Sequence, residues 1–117
     1  MSHRVDPADI WTKASEQLRP NAPFLAYSRD GIAKVAHVVI TPGDAAHTLR
    51  CEGYGRGLAE LLDTNPTLTL LWPASSHDGF SLLADGSGIL DGEVLVITVE
   101  AAVLHRPAPI DGISSCG

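Results

Sequence analysis

Residues 53–57 read Gly-Tyr-Gly-Arg-Gly and stand directly before an apolar helical run, Leu58, Leu61 and Leu62. The amides at a helix start lack backbone partners and carry partial positive charge, so they favour an anion. Gly55 and Gly57 let a backbone approach a ligand closely, and Arg56 can hold a phosphate through two parallel hydrogen bonds. The plainer use of the same residues is a strand-to-helix corner with a solvated arginine. Arg50 is a second candidate cation. It shares a strand side with Thr48 and Glu52, where an ordinary cross-strand ion pair is the competing reading.

Other chemistry-bearing residues are weaker. His37 lies between Ala36 and Val38 in an apolar strand, where its imidazole can meet a ligand or be satisfied by backbone. Trp72 can stack on a flat ring or pack in a core or interface. Ser76, His77 and Asp78 are sequence neighbours in one loop and point apart, so they do not make a hydrolase triad. The histidines at 3, 37, 47, 77 and 105 show no ligand spacing, so no metal site is expected. Gly86-Ser87-Gly88 lacks the strand–turn–helix setting of a nucleotide loop and reads as a bulge or hairpin.

The elements that must position these residues follow from turn signals. Asp6-Pro7 opens a helix whose apolar residues are Ile10, Trp11, Ala14 and Leu18, ending near Arg19 before Pro20. Strands are expected over 23–28, 32–41 and 45–52, a short helix ending at Asn65-Pro66, then strands over 67–72, 80–90 and 93–105. Asp-Gly occurs five times, and four of the five fall between or inside these strands. That argues for antiparallel hairpins and against βαβ winding. Six strands in 117 residues favour a small closed or nearly closed barrel, because closure removes free edges. One domain over 1–117 is expected, with a loosely packed tail from about 106 that has little to bury or lies on a neighbouring subunit.

A net charge of −6 disfavours nucleic acid and anionic membranes as partners but leaves room for a local basic site. Neither a membrane-spanning run nor a signal peptide is read, so a cytoplasmic location is expected. Cys51 and Cys116 are not expected to form a structural disulfide, because Cys116 lies beside a fraying end.

The order of these pieces resembles the pyridoxamine 5'-phosphate oxidase-like, FMN-binding split β-barrel family. The likeness rests on "PFLAYS", Asp30-Gly31, the long second strand, "LLDTNP" before "TLTLLW", and "SLLADGSGIL", and it spans roughly residues 7–105. It implies a mainly β, six-stranded antiparallel split barrel with two short helices. It also implies a homodimer holding FMN or a deazaflavin between two barrels, and oxidoreductase chemistry on a small substrate. It places the cofactor phosphate near Gly55, Arg56 and Gly57, and the ring near Lys34 and His37. A hydroxyl that many relatives carry beside the phosphate cation is missing next to Arg56. The alternative is therefore a non-catalytic binding or storage barrel that has lost the cofactor or binds it weakly.

Overall fold

The structure, a computed structural model, describes residues 2–76 and 79–106. Eight strands form one antiparallel sheet: β1 (Ser2–Val5), β2 (Phe24–Arg29), β3 (Ile32–His37), β4 (Val39–Pro42), β5 (Thr48–Glu52), β6 (Thr67–Trp72), β7 (Ser81–Asp91) and β8 (Val94–His105). The helices are α1 (Ile10–Ala14), preceded by a 3-10 turn over Pro7–Asp9, and α2 (Arg56–Leu61). The sheet runs β3-β2-β6-β7-β8-β5-β4, with β1 added to β8.

The two ends of that path are consecutive pieces of one strand, so the sheet curls back onto itself. The expected strand over 32–41 breaks at Val38. Its first half pairs with β2, from Phe24↔His37 to Arg29↔Ile32, and its second half pairs with β5, from Val39↔Glu52 to Pro42↔Leu49. Val38 N–H donates to the Pro23 carbonyl and Ile40 N–H to that of Asn21, so the second half also touches the chain leading into β2. Six ribbons thus form the circuit, and the expected split barrel is present. The split lies where β3 parts from β5. There the free edge of β3 faces the loop through Gly53 and Gly55, whose φ values are 78° and 82°.

Turn chemistry sets the hairpins. Asp30 and Gly31 both have positive φ, 53° and 77°, as a type I′ turn requires. Asp85-Gly86 does not turn the chain. β7 runs through it with a register shift, pairing Asp85 with Ala101 and Gly86 with Val99, so Glu100 is the extra residue. Inward positions on β8 therefore switch from Leu95, Ile97 and Val99 to Ala102, and both halves face the core. A Cβ on Gly86 would overlap the Thr98 carbonyl oxygen, so only glycine fits.

The core is filled from the inner face of the curl: Leu25, Ile40, Leu49, Leu68, Leu70, Trp72, Leu82, Leu95 and Ile97 are all buried. Helix α1 closes one end with Ile10 and Ala14, and α2 closes the other with Leu58 and, just past its end, Leu62. Both helices are shorter than a free peptide could sustain, so packing holds them.

Three expectations change. The helix expected from Pro7 to Arg19 stops at Ala14: Ser15 Oγ donates back to the Trp11 carbonyl, and Gln17 turns its amide to the Trp72 and Phe80 carbonyls of the barrel. Leu18, expected on the apolar face of that helix, is 71% exposed. Strand β5 starts at Thr48, not at 45, because the Thr48 side chain exchanges hydrogen bonds with Ala45 and closes the loop. The N-terminal cap on Asp6 is present, with Asp6 Oδ1 accepting from Ala8 N–H at 2.9 Å.

Candidate functional site

At the split, alternation along β2 carries Leu25, Tyr27 and Arg29 to the inner face, where Leu25 enters the core and Arg29 reaches the α2 end. Lys34 is registered opposite Tyr27 and therefore shares that face. The α2 start lies against the same residues. A Cβ on Gly57 would sit 2.8 Å from Arg29 Nη1 and 3.8 Å from the Tyr27 hydroxyl. Gly57 thus leaves the space that the Arg29 guanidinium fills. Arg56, the first residue of α2, is exposed beside it.

Arg29 therefore stands beside the start of α2, Arg56 is exposed at that start, and Lys34 shares the β2–β3 face through its register with Tyr27. Among the described residues, Glu60 is the carboxylate in ion-pair range, 3.6 Å from Arg29 Nη2. Both side chains of that pair are largely exposed, so it is weak and can yield Arg29 to a stronger anion. Helix α2 has six residues and no side-chain cap, so side-chain charge rather than its dipole dominates here. Asn65-Pro66 fastens this arrangement: Asn65 Nδ2 donates to the Ser28 carbonyl at 3.4 Å, tying the end of α2 to β2.

The remaining sequence candidates lie elsewhere. His37 and Trp72 are at the α1 end. From Arg29 back to Phe24, the partner of His37, is five residues, roughly 17 Å along β2. The His37 ring stacks on Phe24 with centroids 4.8 Å apart, and its Nε2 lies 3.0 Å from the Ala22 carbonyl. Trp72 is buried in the core, its indole N–H donating to the Pro20 carbonyl at 2.8 Å. Arg50 is half-buried on the outward side of β5, between Thr41 and Val96 in the cross-strand register. The structure sets Gly57 against Arg29 and Tyr27, with Gly55 and Arg56 preceding it at the α2 start and Lys34 registered opposite Tyr27. Arg29 falls one residue past the expected strand over 23–28, and Tyr27 lies inside it on the same alternation as Leu25; carrying that alternation one step further finds Arg29.

Cys51 is buried and free, with its thiol pushed up to about 12 by burial and, less, by the Glu52 charge. It is inert packing. Among the described residues, no His, Cys, Asp and Glu group could hold a metal. No helix there is long and apolar enough to cross a membrane. His77, Asp78, Cys116 and the tail from 107 lie outside the described residues.

The outer sheet face carries a cross-strand row: His37, Phe24, Leu71, Leu83, Val103 and Arg4 are successive partners across six strands. Four of the six are large and apolar, and Val35, 66% exposed, adjoins the row.

With this geometry in view, the comparisons fall into place. The fold matches the FAD-binding protein from Mycobacterium smegmatis with a TM-score of 0.63 at 9% identity, covering 91% of this chain and 100% of that one. It matches a FAD-binding protein from Mesorhizobium loti with a TM-score of 0.61 at 12% identity, covering 91% and 99%. These likenesses establish the fold. No protein-family model matches the sequence, and no curated protein matches it significantly.

Proposed function

We propose that the chain is a flavin-binding split-barrel protein. The reading is carried by the barrel mouth, where the Arg29 guanidinium fills the space left by Gly57, next to Arg56 in α2 and on the same face as Lys34. Two proteins that share the barrel are named for binding FAD. In this reading the guanidinium groups of Arg29 and Arg56 clamp the cofactor phosphate, and Lys34 adds charge. The Tyr27 hydroxyl stands in for the one missing beside Arg56. A bound flavin supplies hydride or electron transfer to a small substrate; the chain binds, orients and shields it. FMN and a deazaflavin each bring one phosphate, which suits a single clamp, while FAD brings two.

The middle of the outer row, Leu71, Leu83 and Val103, supports self-association, since an apolar stripe across a sheet is best covered by a second copy of the same stripe under a two-fold axis. Leu71→Lys should convert a homodimer to a monomer by light-scattering mass.

The test is a titration of purified protein with FMN, FAD and a deazaflavin, followed by quenching of cofactor fluorescence. Saturable quenching that weakens in Arg56→Ala and Arg29→Ala supports the reading; no quenching and no thermal shift with any of the three refutes it. One observation favours a second reading, a binding or storage barrel without turnover: Arg56 is flanked by Gly55 and Gly57, with no hydroxyl residue beside it. A bound flavin that is reduced chemically but passes no electrons to any acceptor would select that reading.

A further inference from the structure

A separate cavity of about 200 Å³ opens at the α1 end, lined by Gln17, Leu18, Arg19, Phe24, His37 and Trp72 among others. Its size decides what it can hold. About 150 Å³ encloses a single benzene ring, and drug-sized ligands begin near 300 Å³. A cleft of this size suits one six-membered ring with a small head group.

The lining specifies the chemistry of both parts. The stacked Phe24 and His37 rings and the edge of Trp72 give aromatic walls. The His37 ring is held by the Ala22 carbonyl at Nε2, which fixes its orientation. Gln17 spends its amide N–H groups on the Trp72 and Phe80 carbonyls and offers the ligand no donor. Arg19 is exposed at the rim and, among the described residues, makes no ion pair: the pairs present are Lys13–Glu16 and Arg29–Glu60. The planar fork of Arg19 matches a carboxylate.

We infer that this cavity is a binding site for a monocyclic aromatic carboxylate, with the ring against Phe24, His37 and Trp72 and the carboxylate on Arg19. It lies roughly 17 Å along β2 from Arg29, and the probe is added without flavin, so the outcome is read apart from flavin binding.

Benzoate is the probe, added to the full-length protein without flavin. The Trp72 indole N–H resonance reports binding, because Trp72 borders the cavity. Benzoate should shift it saturably. Benzamide, which lacks the charge, and cyclohexanecarboxylate, which lacks the flat ring, should each bind about tenfold more weakly. Arg19→Gln, a surface change, should weaken benzoate about tenfold while the melting temperature stays put. Phe24→Leu should weaken benzoate and leave the preference for the charged head group intact. No saturable shift with benzoate, equal binding of benzamide, or unchanged affinity in Arg19→Gln would overturn the inference.

Discussion

Gly57→Ala should stabilise the protein and weaken flavin binding at once. Gly57 is the second residue of α2, and its backbone lies outside the left-handed region, so alanine suits it. Replacing glycine there gains ~0.5–1 kcal/mol from helix propensity and unfolded-state entropy. The new methyl would stand 2.8 Å from Arg29 Nη1, at the far end of a flexible side chain that can swing away. That swing gives up the 3.6 Å pair with Glu60, which is exposed and worth little. The net is about 0.5 kcal/mol of added stability, or ~2 °C in Tm for a chain of this size. Arg29 is then displaced from the phosphate position. A hydrogen bond to a charged group contributes ~1.5–3 kcal/mol, so flavin affinity should fall by about tenfold or more. Circular dichroism melts and fluorescence titrations read the two effects separately. A lowered Tm would show that Gly57 is structural, and an unchanged affinity would show that Arg29 does not touch the cofactor.

Other outcomes follow from the core and the turns. Gly86→Ala forces a methyl into the Thr98 carbonyl at the bulge and should lose ~1–3 kcal/mol, visible as a fall in the urea midpoint. Trp72→Phe leaves the Pro20 carbonyl without its donor and should lose ~1–3 kcal/mol by the same assay. The Cys51 thiol ionises near 9.0 when unfolded and near 12 when folded, so the folded state binds more protons between those values. Stability should therefore be full below pH 9 and decline above it by up to ~1.4 kcal/mol per pH unit, and Cys51→Ala should remove that decline.

Much of this fold is legible because turn residues and alternation are local. Asp30-Gly31 dictates its own hairpin, and "TLTLLW" matches β6 residue for residue. The features that escaped depend on distant partners. Strand β1, Ser2–Val5, has no apolar alternation and is a strand because β8 outruns β5 and leaves an edge to cover. Similarly, α1 ends early because Gln17 finds carbonyls more than 50 residues away. At the site, the glycines and Arg56 are local signals. Arg29 becomes part of the mouth through the curl of the sheet, which brings α2 over the end of β2.

Strand β8 takes β7 along one edge and both β5 and β1 along the other. During synthesis, β1 and β5 emerge long before this common partner does. Until Val94–His105 has left the ribosome, β1, β5 and β7 each keep an open flank and the ring cannot shut. Folding therefore waits on its last strand, and a substitution there should lower cellular yield more than its effect on the finished protein suggests.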